Sequence, residues 1–179
     1  MNYDPVLIRP LAHDDLTLSA LSELLIETVA NGGSVSFMHP LSGENARAFW
    51  QGSLAAAEQG GRIILGAFTE SGDLAGTVTL LLDLPPNQPH RAEIAKMMTA
   101  VAHRGKGIAS ALLAEAESLA RLHGRSLITL DTAEDEGAAG FYEKQGYNRT
   151  GVIPGFALKP LGGLTGTIIY WKQLCTTKT

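Results

Sequence analysis

The feature that most constrains this chain is the stretch 98–113, Met98-Thr99-Ala100-Val101-Ala102-His103-Arg104-Gly105-Lys106-Gly107-Ile108-Ala109-Ser110-Ala111-Leu112-Leu113. It reads as the end of a strand, a glycine-rich basic turn and the first turns of a helix. A helix's first turn has N–H groups without intrahelical partners and the positive end of the dipole, so such a turn is a ready cradle for phosphate. Gly105 and Gly107 let the backbone approach an anion closely, and Arg104 and Lys106 add charge at the rim. The fold must deliver a strand into this turn and carry a helix out of it.

The flanking sequence meets that demand. An opening strand over 6–9 ends at Pro10, and Asp14 and Asp15 begin a helix to about Ala30, with Leu18, Leu21, Leu25 and Val29 on one face. Asn31-Gly32-Gly33 stops it. The loop Ser34-Val35-Ser36-Phe37-Met38-His39-Pro40 carries apolar side chains, either packed on a core or folded over a ligand. Ser42 caps a second helix with Ala46, Phe49, Trp50, Leu54 and Ala57 on one face.

Strands over 62–68 and 74–82 form a hairpin, and a third strand over 91–98 completes an antiparallel meander leading into the turn. The helix after the turn spans 106–122. The apolar run 126–131 predicts a strand buried on both faces and joined to 91–98 by a right-handed parallel crossover. A short helix over 137–145, capped by Asp135, and strands over 147–152 and 164–174, with a loop over 152–163 between them, close the chain.

The 179 residues suit a single domain over 1–179. A formal net charge of −4 argues against nucleic-acid or anionic-membrane binding, so the basic residues at 104–106 form a local feature. No apolar run is long enough to span a bilayer. One cysteine, Cys175, allows no intramolecular disulfide, which fits a cytoplasmic protein. No spacing of His, Cys, Asp or Glu calls for a metal. His103 reads as a solvated loop residue.

The pattern R-x-x-G-x-A, here Arg104 to Ala109, followed some 30 residues later by Ala138-x-x-Phe141-Tyr142-Glu143-Lys144-x-Gly146-Tyr147, resembles the GCN5-related N-acetyltransferases (GNAT). The resemblance implies an α/β (α+β) GNAT fold: a mixed, mostly antiparallel sheet of six to seven strands with four helices, splayed at its central parallel pair. Within the family the chain resembles the tabtoxin-resistance acetyltransferases. That likeness rests on Glu27-Thr28-Val29, Gly33-x-Val35-x-Phe37-Met38, Arg91-Ala92-Glu93-Ile94-x-Lys96, Leu130-Asp131-Thr132 and Pro154-Gly155.

The resemblance implies direct transfer of acetyl from acetyl-CoA, as co-substrate, to an amine. Backbone groups of Met97, Met98 and Thr99 would pair with the pantetheine arm, and Arg104, Gly105, Lys106, Gly107, Ile108 and Ala109 would hold the pyrophosphate. Many members have Asn at the position of Asp135. Aspartate there can accept a hydrogen bond from the cofactor arm but cannot donate an N–H.

An alkyl ammonium of pKa ~10 is only about a thousandth neutral at pH 7, so the reaction needs a base. Glu93, in an otherwise apolar strand, is a candidate; a partly desolvated carboxylate would be a better base, while the plainer reading is a solvent-facing strand residue. The tabtoxin-resistance likeness, in which a matching Glu is a proposed base, favours the first. Asp131 ends a strand where parallel sheets place ligands, as a second base, a holder of the substrate amine, or a cap for the next turn.

Tyr142 matches a family tyrosine that protonates the CoA thiolate; otherwise it is a core residue. Ser34, Phe37, Glu93 and Asp131 are the expected substrate contacts, and specificity is expected in the loops 31–41 and 152–163. The acceptor is expected to be a small-molecule amine, such as an amino-acid-like toxin or antibiotic, with a protein substrate or a silent acyl-CoA-binding module as alternatives. The protein is expected to be a monomer or homodimer.

Overall fold

In a computed structural model the protein is described over residues 6–134 and 138–175. One mixed sheet of seven strands runs through it: β1 (Leu7–Pro10), β2 (Arg62–Phe68), β3 (Leu74–Leu81), β4 (Arg91–Thr99), β5 (Leu127–Ala133), β6 (Asn148–Leu158) and β7 (Leu164–Gln173). The order is β1-β2-β3-β4-β5-β7-β6, antiparallel throughout except for β4 beside β5. Four helices complete it: α1 (Asp15–Ala30), α2 (Gly43–Glu58), α3 (Ile108–Leu122) and α4 (Ala138–Lys144). This is the fold the sequence predicts.

Each face of the sheet has its own core. On one face Leu21, Leu25, Trp50 and Leu54 of α1 and α2 pack with Ile64 and Met98. On the other, Ile108, Leu112, Leu113 and Ala116 of α3 and Tyr142 of α4 pack on Leu65, Val78, Leu80, Ala92 and Ile128. Both long N-terminal helices begin as their sequences demand. Asp14 accepts from the Thr17 N–H at 2.8 Å and Ser42 from the Asn45 N–H at 3.2 Å, satisfying donors that the helix cannot.

Three expectations need correction. The helix after the basic turn begins at Ile108, because Gly107 is left-handed at φ 80 and serves as its N-cap. The strand at 127–133 alternates: Ile128, Leu130 and Ala133 are buried, whereas Thr129 is half-buried and Asp131 exposed, so only one face is fully covered. The stretch 152–158 belongs to β6, paired with β7 beyond an irregularity between Ile153 and Ala157, and Pro154-Gly155 sits in that irregularity. Proline and glycine read as loop signals, yet a bulge accommodates both. Asp135, with the cap and the cofactor contact expected of it, lies outside the described residues.

Two departures from regularity position the site. The parallel ladder covers only Arg91–Glu93 against Leu127–Thr129, after which β4 and β5 diverge. Just beyond, β4 bulges: Thr77 pairs with Met98 and Thr79 with Ala95, leaving Lys96 and Met97 opposite Val78 alone. The bulge changes which face each side chain takes. Ala92 and Ile94 join the α3 core, and strict alternation would send Met98 there too, but Met98 lies in the α1–α2 core.

The seat of α3 against this region is tight. A Cβ on Gly76 would lie 2.8 Å from the Met98 carbonyl oxygen and 3.2 Å from side-chain atoms of Ile108 and Leu112. Backbone cannot yield as a flexible side chain can, so Gly76→Ala should destabilise the protein by ~1–3 kcal/mol. Urea denaturation of the variant against the parent measures this.

Candidate active site

The divergence of β4 and β5 opens a cavity of about 580 Å³ that runs from the basic turn to the loop after α1. Its floor is β4, one end the turn leading into α3, and its other wall β5 with α4. Of the residues singled out from sequence, Ser34, Phe37, Glu93, Met97, Met98, Thr99, Arg104, Gly105, Gly107, Ile108, Ala109, Asp131 and Tyr142 all line it. Lys106 is half-buried beside the turn and is not among the lining residues. His103, expected in solvent, is half-buried and lines the cavity.

The end of the cavity at the basic turn is built from backbone. Val101–His103 form a 3₁₀ turn and Arg104 donates from Nε to the Thr99 carbonyl at 3.4 Å. α3 has no side-chain cap at its N-terminus, unlike α1 and α2. The N–H groups of its first turn therefore face the cavity end with the dipole behind them, an arrangement suited to a pyrophosphate. Along the floor, β4 past Glu93 has left its β5 partner, so backbone there can pair with a bound extended chain. No side chain announces this. It follows from where the ladder stops.

Glu27 is a contributor that sequence reasoning passed over as a site residue. Its Oε2 accepts from the Val101 N–H at 3.1 Å, tying α1 to the turn before the basic loop. No local pattern could reveal a partner 74 residues away.

At the acceptor end the carboxylates differ. Glu93 does not stand alone in an apolar strand: Arg91 Nη1 donates to its Oε2 at 3.0 Å and to Thr129 Oγ1 at 2.5 Å. The i,i+2 spacing of Arg91 and Glu93 on one strand face is the signal that could have found this pair. Asp131 is exposed at the far end of β5 and accepts from Thr167 Oγ1 at 2.9 Å. Among the described residues it has no cationic partner at ion-pair distance.

Tyr142 is 6% exposed, among the rings of Phe141, Tyr147 and Tyr170 at centroid distances of 5.0, 5.8 and 5.9 Å. Burial, assisted by the charge of Asp131, pushes its phenol up to about 12. It therefore stays protonated wherever the protein is folded at ordinary pH.

The loop Ser34–Pro40 both packs and lines the site. Phe37 meets Phe49 edge-on at 5.2 Å, Phe49 meets Trp50 at 5.0 Å, and the His39 N–H donates to the Pro160 carbonyl at 3.0 Å. The last contact joins the two regions expected to set specificity. Cys175 is exposed and lies outside the cavity. Among the described residues no group of acidic, His or Cys side chains could hold a metal, and no helix is long and apolar enough to cross a membrane.

A helix start without a side-chain cap, a strand edge that has left its partner, and carboxylates with a protonated phenol lining the same cavity fit a CoA-dependent acyltransferase. Residues 27–147 match the acetyltransferase (GNAT) family, and the chain belongs to that family, as an N-acetyltransferase with acetyl-CoA as co-substrate.

Solved structures share the fold over nearly the full length. A candidate phosphinothricin N-acetyltransferase is 21% identical with a TM-score of 0.76, the match covering 96% of this chain and 99% of that one. A ribosomal-protein-alanine N-acetyltransferase from Brucella melitensis is 24% identical with a TM-score of 0.78, covering 94% and 99%. A candidate acetyltransferase from Salmonella typhimurium, solved with its cofactor acetyl-CoA, is 18% identical with a TM-score of 0.76, covering 98% and 97%. At these identities the likeness concerns the fold.

Gly107 offers a direct check on the cradle. A β-branched residue at φ 80 strains the backbone where α3 starts, and relaxation turns the first N–H groups away from the cavity. Gly107→Val should weaken acetyl-CoA binding at least about tenfold. Isothermal titration calorimetry reads this without an acceptor.

Proposed function

We propose that this acetyltransferase acts, as a single cytoplasmic domain, on a small-molecule amine, an amino-acid-like toxin or antibiotic. The observation that carries this is the walled acceptor end of the cavity. The loop 34–37 and the stretch Phe156–Leu158 line it, and the His39–Pro160 bond ties their neighbourhoods together. A concave pocket lined by loops from two parts of the chain suits a compact acceptor, whereas an extended polypeptide is taken along a continuous groove. The tabtoxin-resistance likeness and the candidate phosphinothricin N-acetyltransferase among the structural neighbours point the same way.

In this reading the pantetheine arm lies along Met97, Met98 and Thr99, with its pyrophosphate on the turn from Arg104 to Ala109. Asp131 takes the amine's proton, directly or through water, because Glu93 is already committed to Arg91. Glu93 and Arg91 then shape the wall beside it, and Ser34 and Phe37 contact the acceptor. The neutral amine attacks the thioester carbonyl, the tetrahedral oxyanion collapses, and the C–S bond breaks. Tyr142 gives its proton to the departing thiolate and recovers one from solvent or from the protonated product.

Thiol release from acetyl-CoA, measured over amino-acid-like toxins, aminoglycosides and peptides, tests the acceptor class. Turnover confined to small amines is the expected result; preferential turnover of peptides would sink the reading. Tyr142→Phe should lower kcat by about 10²–10⁴-fold, with acetyl-CoA affinity unchanged by calorimetry.

The raised phenol also sets a pH signature. Its protonated form is favoured in the fold, so its contribution to stability is full below about pH 10, the ordinary tyrosine value, and fades as pH rises towards 12. Ultraviolet difference titration of the parent against Tyr142→Phe should therefore show the missing phenolate signal only near pH 12.

A further inference from the structure

Lys96 is a cavity-lining cation that the acetyl-transfer steps do not use. It sits in the β4 bulge at φ 50, a left-handed value that a non-glycine residue keeps only where its surroundings over-determine it. In regular alternation Lys96 would follow Ala92 and Ile94 into the core beneath α3. The bulge turns it to the opposite face instead.

There Nζ donates to the Val35 carbonyl at 2.8 Å and to Ser36 Oγ at 3.0 Å, and stands 5.8 and 5.5 Å from the ring centroids of Phe37 and Phe49. An ammonium has three N–H donors, and among the described residues two are used. Among the described residues no carboxylate forms an ion pair with it. Burial lowers its pKa, and the charge of Asp131, another lining residue, acts in the opposite direction. A half-buried cation without an anion in ion-pair contact is costly to maintain, and a ligand that brings one lessens that cost.

We propose that Lys96 is a specificity-determining residue: its third N–H receives the carboxylate of the acceptor, whose amine lies towards Asp131. The acceptor is then a small zwitterion of the free amino-acid kind. The rings of Phe37 and Phe49 stand within cation–π reach of Nζ, and the Val35 and Ser36 contacts fix where the charge stands. A peptide N-terminus, whose own carboxyl is tied up as an amide, leaves this cation unanswered. The inference rests on the small-molecule reading above and narrows it.

The test compares methionine, glutamate and lysine with their carboxamides in the thiol-release assay, using the parent, Lys96→Gln and Lys96→Arg. Gln keeps a donor for the Val35 carbonyl but removes the charge. The parent should prefer acid over carboxamide by about 10- to 100-fold in kcat/KM. Lys96→Gln should cut that ratio at least tenfold, mainly by raising KM for the acid, and Lys96→Arg should restore part of it. Acetyl-CoA calorimetry on each variant reports an intact fold, and if Lys96→Gln fails it, Lys96→Met carries the same comparison.

An equal loss on acid and carboxamide would make Lys96 a latch for the loop only and overturn the proposal. So would a parent enzyme indifferent to the carboxylate, or an acetyl adduct on Lys96 in the mass spectrum after incubation with acetyl-CoA. Thiol release confined to peptides overturns this inference and the small-molecule reading while acetyl transfer stands. No release with any of these amines, acetyl-CoA still binding, likewise overturns this inference and the small-molecule reading.

Discussion

The parting of β4 from β5 after three paired residues is the constraint on which the rest depends. Backbone polar groups stay unpaired with protein only where water or a ligand can meet them, so a mid-sheet gap must open to solvent or to a ligand. The bulge in β4 absorbs the change in strand direction and moves Met98 into the α1–α2 core while Met97 packs against the α3 core. Gly76 then lets β3, the Met98 carbonyl and α3 meet closely enough to hold the basic turn at the mouth of the gap. Sheet defect, core packing and cofactor cradle are one construction.

The electrostatics of the acceptor end separate two acids by environment. Glu93 is neutralised locally by Arg91, which also bridges to β5 through Thr129 at the last rung before the strands part. Asp131 lies beyond that rung, exposed and held by one hydroxyl. Tyr142 is buried among aromatic rings with the charge of Asp131 acting on it, and both effects keep its proton in place. A carboxylate held by one hydroxyl and a phenol that keeps its proton thus line the same cavity, a pairing that suits direct transfer to a neutral amine.

The helices, the meander, the basic turn and the Phe141-Tyr142 helix were legible in the sequence because each rests on local signals: capping residues, glycine stops and apolar periodicity. What was not legible is long-range. Lys96 reads as a strand residue of the wrong parity, and only the bulge, fixed by pairing with Thr77 and Thr79, gives it a role. Glu27 reads as helix surface until Val101 arrives beside it. The Pro154-Gly155 pair reads as a loop because the β7 partner that holds it in a strand lies beyond the next turn. The identity of the lining residues was visible; their grouping into ion pairs, latches and free carboxylates needed the fold.

The uncapped start of α3 has an energetic consequence. Asp14 and Ser42 finish α1 and α2 with the chain's own atoms, but α3 leaves the equivalent hydrogen bonds to be made from outside. A co-substrate that binds the native state and not the unfolded chain stabilises the fold: at a hundred times the dissociation constant it adds about 2.7 kcal/mol to the native state. The resistance of this protein to unfolding is in that sense a variable, set from moment to moment by the concentration of acetyl-CoA around it.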